Sequence, residues 1–132
     1  MINFGELTSD DTIALARTAA EAIRGLNHAT GCDAGLGQPA VAYDILGALS
    51  LAASRLPQLI GQIAGYLDRA LAAGRPGHDH GHDPARAIDA AAVFLGDARG
   101  SAAALAGNLD AAQQQLASVN GNPAASRRKD TP

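Results

Sequence analysis

Residues 39–71 read PAVAYDILGALSLAASRLPQLIGQIAGYLDRAL. Apolar side chains recur there in alternating steps of four and three: Ile45, Leu49, Ala52, Leu56, Leu59, Ile63, Tyr66 and Ala70. That spacing keeps one stripe of an α-helix apolar over many turns, and Leu46, Ile60, Leu67 and Leu71 widen it. The stretch predicts a helix over about 39–73 and an all-α fold. Its local conflict is Pro57, which lacks the N–H that would bond the Ala53 carbonyl and costs an isolated helix about 3 kcal/mol. The apolar run keeps its phase across the proline, so the expectation is one helix kinked at Pro57. A helical wheel puts Pro57 on the outer side, with Ser50 or Ser54 placed to satisfy the freed carbonyl.

C-terminal to this helix, residues 73–83 read AGRPGHDHGHD, and Gly74, Pro76, Gly77 and Gly81 forbid helix. Asp83 is a good N-cap and Pro84 a good first residue for a helix over 84–119. That helix carries Ile88, Ala91, Leu95, Ala98, Ala102, Leu105, Leu109, Ala112, Leu116 and Val119 at heptad spacing. Two rods of about 50 Å joined by a short loop imply an antiparallel hairpin. Residues at one level then have numbers adding to about 157. Leu56 meets Ala102, Leu49 meets Asn108–Leu109, Ile63 meets Leu95 and Tyr66 meets Ala91; Pro57 lies level with Gly100 and Gly61 with Gly96. In this arrangement Leu105→Asp should unfold the bundle by placing an unpaired charge at mid-seam.

N-terminal to residue 39, Thr8, Ser9 and Asp10 offer capping oxygens for a first helix over about 10–27. Ile13, Ala16, Ala20 and Ile23 make one stripe, and Leu15, Ala19, Ala22 and Leu26 a second. Arg17, Glu21 and Arg24 fall together on the remaining, solvated face. Residues 28–38, HATGCDAGLGQ, form a glycine-rich loop without the Gly-Lys-Ser/Thr of a phosphate loop. The expected architecture is a three-helix bundle dominated by the long hairpin, with the first helix packed across it. It forms one domain over 1–119, followed by a disordered tail over 120–132 that carries the basic run Arg127, Arg128, Lys129.

Composition narrows the function. Hydrophobic residues make up 47% of the chain but aromatics only 3%, so a core of small side chains needs long helices. A net charge of −3 argues against a general nucleic-acid binder. Cys32 is the lone cysteine and cannot form an internal disulfide. No secretory leader and no spanning segment is read, so the chain is expected in the cytoplasm and not in a membrane.

Three groups of residues are candidates for function. His78, His80 and His82 lie beside Asp79 and Asp83, a composition that binds Zn, Ni or Cu at neutral pH. Gly47, Ser54, Gly61 and Gly65 make a small-residue face, which reads as exposed surface or as a close-approach surface for another helix. Cys32 with His28 is the only thiol–imidazole pairing near in sequence, but a glycine-rich loop supplies no fixed base or oxyanion donors.

The segments GLNHATG and LSLAASRLPQL, within helical stretches reaching Leu116, resemble small helical proteins of high-GC bacteria, often found near plasmid-like or integrating elements. That resemblance implies no activity and no functional residues. The sequence as a whole predicts a non-enzymatic interaction or assembly module, accessory to such an element. Its partner is a protein, with a homodimer motivated by the wide apolar stripes of the first helix. It needs no cofactor. The alternative is a metal-binding or metal-responsive protein using Zn or Ni at the histidine loop.

Overall fold

The computed structural model describes residues 4–119, and these are helical with no strand among them. A 3₁₀ turn over Phe4–Glu6 leads into α1 (Ser9–Ala29). A one-turn α2 (Asp33–Leu36) interrupts the loop that follows, and the two long helices are α3 (Pro39–Ala72) and α4 (Pro84–Gln115). The predicted tail and its basic run lie outside the described residues.

Local chemistry sets the ends. Thr8 caps α1 in a reciprocal box: its Oγ1 accepts from the Asp11 N–H at 3.2 Å while Asp11 Oδ2 accepts from the Thr8 N–H at 3.1 Å. Asp83 Oδ1 accepts from the Ala85 N–H at 2.9 Å and Pro84 opens α4, as its sequence requires. The α4 helix stops at Gln115, four residues before its predicted end. There the Leu116 N–H turns to the Gln113 carbonyl in a tighter turn.

The packed unit is α3 against α4, with α2 resting on α3. Two hydrogen bonds cross the hairpin. Ser50 Oγ donates to the Ala106 carbonyl at 3.0 Å, and Gln113 Nε2 donates to the Tyr43 carbonyl at 3.2 Å. The numbers in each pair add to 156, one less than the loop centre predicts. The helices are therefore antiparallel and in the expected register.

The face that α3 turns to α4 differs from the predicted one. Its covered apolar residues include Ala42, Ile45, Leu46, Leu49, Ala53, Pro57, Ile60, Ala64, Leu67, Ala70 and Leu71, so Ile45, Leu49 and Ala70 of the predicted run and all four residues that widen it are covered. From the apolar run read in the sequence, Ala52, Leu56, Leu59, Ile63 and Tyr66 remain exposed. At 100° per residue the contact line lies about 90° round the helix from that run, midway between it and the small-residue face. The reason is separation. Ala53 and Ala70 from α3 and Ala102 from α4 are buried, and Ala53 and Ala102 on the contact line let the axes come closer than opposed leucines would.

Pro57 consequently sits half-buried on the α4 side rather than on the outside. The helix runs unbroken through it. Neither serine serves the Ala53 carbonyl: Ser50 donates across to Ala106, and Ser54 Oγ donates to the Leu51 carbonyl at 2.7 Å. Gly96 and Gly100 make no close fit to α3, because a Cβ at either would meet nothing within 4 Å.

In α1 no residue is buried, and only Leu15 and Leu26 are half-covered. Its tie to the rest is the elbow through α2. A Cβ at Gly35 would collide with the Ala29 carbonyl, so the absent side chain is what lets α2 lie against the end of α1.

Candidate functional site

The hairpin has two unlike sides. On α4, Phe94 and Leu105 lie about 60–80° to one side of the contact line. Because α4 runs antiparallel, that flank projects to the same side as Leu56, Leu59, Ile63 and Tyr66 of α3. These six side chains form one apolar side, and Ile63 is 46% exposed, Tyr66 52%, Leu105 48% and Phe94 73%. The Arg75 guanidinium lies 5.7 Å from the Tyr66 ring centroid and caps the end of this surface near the α3–α4 turn. Isolated exposed leucines are ordinary, whereas a contiguous side of large apolar groups marks a surface that takes a partner.

The other side carries the predicted small-residue face. There a Cβ at Gly61 would stand 3.3 Å from Cζ of Arg99, and one at Gly47 would collide with the Gln113 carboxamide. Both glycines therefore flank α4. A Cβ at Gly65 would instead stand 3.2 Å from Nη1 of Arg69 on its own helix, and Ser54 is exposed. A shallow hollow runs between Pro57, Gly61, Gly65, Arg69 and Arg99.

The imidazoles of His78, His80 and His82 come together in the α3–α4 turn. Their ring centroids are 5.7 Å apart for His78–His80, 5.2 Å for His78–His82 and 6.4 Å for His80–His82. The Gly81 N–H donates to the His78 carbonyl at 2.9 Å, with Gly81 at φ +72°, a left-handed value that glycine adopts without strain. Among the described residues no three donor groups converge tightly enough to hold a metal as they stand.

Cys32 is free and exposed at the N-cap of α2, and no hydrogen bond links its thiol to His28. Sequence reasoning named the large apolar residues of α3 but placed them inside the hairpin. It did not single out Phe94, which stands outside the α4 repeat. Its signal is its place in the α4 wheel, on the same flank as Leu105. No described helix is long and apolar enough to cross a membrane. Compared with protein-family models, with curated proteins and with solved structures, the chain matches none.

Proposed function

We propose that the chain is a non-enzymatic helical assembly module working in the cytoplasm, and that a second copy of the chain covers its apolar side. The observation that carries this reading is the row Leu56, Leu59, Ile63, Tyr66, Phe94 and Leu105, exposed along one side of a hairpin whose buried residues are alanines. Two hairpins laid side to side by these rows make a four-helix core, the arrangement in which antiparallel pairs of this length ordinarily bury such faces. The exposed Ile13 and Ile23 of α1 add apolar surface that a third-helix position on the hairpin would cover, which is the three-helix arrangement completed between copies. A bend at Pro57 belongs to the same reading, supported by the missing N–H and the crowding of its ring against the Ala53 carbonyl. So does an accessory role near a plasmid-like or integrating element, supported by GLNHATG and LSLAASRLPQL alone.

The magnitudes favour a concentration-dependent dimer. Completing the burial of a half-exposed large side chain gives about 1 kcal/mol. Six on each of two copies give about 12 kcal/mol, within the range of about 4–15 kcal/mol that association costs. Sedimentation equilibrium over about a hundredfold range of concentration tests it. The expected result is monomer giving way to dimer, with Ile63→Asp and Phe94→Asp each restoring monomer at unchanged helicity. A monomer throughout, with α1 cross-linking to its own hairpin, would replace the dimer by an intramolecular three-helix bundle.

A further inference from the structure

We propose that the hollow on the small-residue side of the hairpin binds a phosphate dianion, free or as the end group of a phosphate monoester, through Arg69 and Arg99. This goes beyond the assembly reading and does not rest on it, because the apolar row stands on the other side of the hairpin. The hollow is bordered by Pro57, Gln58, Gly61, Gly65, Arg69 and Arg99, so one cation from α3 and one from α4 border the same space.

Neither cation is neutralised within the fold. No carboxylate stands three or four residues to either side of Arg69 or Arg99, the spacing at which Arg24 meets Glu21 at 3.1 Å. Asp68 adjoins Arg69 in sequence, but successive residues lie 100° apart on a helix and the two do not pair. Among the described residues neither guanidinium makes an ion pair or a hydrogen bond. On a chain of net charge −3, two uncompensated cations at one hollow reverse the local sign.

The glycines set the spacing. A Cβ at Gly61 would stand 3.3 Å from Cζ of Arg99 and 3.5 Å from its Nε and Nη2, and one at Gly65 would stand 3.2 Å from Nη1 of Arg69. Each guanidinium therefore lies over α3 backbone where a side chain would otherwise stand. Gly61 and Gly65 are about one helical turn apart, which separates those Cβ positions by about 6 Å. Two charge-assisted bonds to different oxygens of one phosphate set their donors about 7 Å apart, the same scale. The glycines supply room and not donors, since their N–H groups belong to the α3 ladder. The donors are the two guanidinium forks, with the carboxamides of Gln58 and Gln62 at the border. Charge selects the ligand. A carboxylate carries one charge and two oxygens, and one fork uses both. A phosphate end group carries about −1.5 to −2 and three oxygens, which suits two forks.

Titration of the full chain at fixed ionic strength, followed by NMR, is the test, with inorganic phosphate and glycerol 3-phosphate as parallel probes. The expected result is a saturable shift of the Gly61 and Gly65 amides and of the Arg69 and Arg99 Nε–H, at one anion per chain, with acetate at least about tenfold weaker. The tighter of the two probes identifies the source. Arg69→Gln and Arg99→Gln should each weaken binding at least about tenfold, and Arg86→Gln, outside the hollow, should keep it. Shifts from both probes that never saturate, acetate equal to phosphate, or binding kept in both hollow variants would show only general attraction to positive charge and overturn the proposal. The three variants alter exposed side chains, so helicity should be unchanged, and failure of the dimer is read separately by sedimentation.

Discussion

Ser50 Oγ donates to the carbonyl of Ala106 at 3.0 Å, a side chain of α3 tied to the backbone of α4 across the hairpin. The Ala106 carbonyl sits inside α4, so the serine uses its second lone pair. Ser50→Ala should therefore cost only about 0.5–1.5 kcal/mol, the net value of a part-buried hydrogen bond. Urea denaturation monitored by circular dichroism gives the number. A loss of more than about 3 kcal/mol would mean that this bond holds the register alone.

Ala102 and Leu105 separate the inside of the hairpin from its outside. Ala102 is 6% exposed, so Ala102→Asp buries an unpaired charge and should abolish the cooperative melt. Leu105 is 48% exposed, and the charge in Leu105→Asp reaches water. The expected cost to the monomer is within about 1 kcal/mol, with the loss appearing in dimerisation. Thermal melts at low concentration, read beside sedimentation, distinguish the two. This reverses the expectation that the sequence pattern sets for Leu105.

Glycine-to-alanine substitutions should differ in sign by position. A Cβ at Gly100 meets nothing within 4 Å, so Gly100→Ala gains helix propensity of about 1 kcal/mol. At Gly61 the neighbour is the movable end of Arg99, and a smaller gain remains. Gly47→Ala displaces the Gln113 carboxamide and with it the bond to the Tyr43 carbonyl, which offsets the propensity gain and leaves stability near neutral. Gly35→Ala drives a methyl into the Ala29 carbonyl and should cost about 1–3 kcal/mol. Denaturation midpoints of the four single variants test the order.

The capping box of α1 should act locally. Thr8→Ala removes a side-chain acceptor worth about 1 kcal/mol of helix stability. Since α1 has no buried residue, the loss should appear as faster amide exchange in residues 9–13 and leave the hairpin amides unchanged. Asp83→Ala, at the cap of α4, should lower the global midpoint instead. Hydrogen exchange resolved by residue decides between the two behaviours.

The helices and the register were legible because their signals are local. Thr8, Asp83, Pro39 and Pro84 mark starts, and the loop centre alone sets which residues stand level. The contact line of α4 was legible too, since Ile88, Ala91, Leu95, Ala98, Ala102, Leu109 and Leu116 are covered as their spacing predicts. The contact line of α3 was not. Its apolar residues span more than half the helix circumference, so the pattern fixes a broad arc and not a direction within it. Packing settled on the part of that arc that holds Leu46, Leu49, Ala53, Pro57, Ile60, Leu67 and Leu71. The same shift moved Leu56, Leu59, Ile63 and Tyr66 from expected core to candidate interface. The histidines were legible as composition. Their nearness in space depended on the single left-handed glycine between His80 and His82.

An antiparallel hairpin also fixes where the rest of the chain is attached. Residue 39 and residue 115 emerge at one end, and the imidazoles stand at the other, about 50 Å away along a rod of 34 residues. The start of α3 and the end of α4 are thereby held at a set remove from the turn. The length of that separation is written in the helical rise.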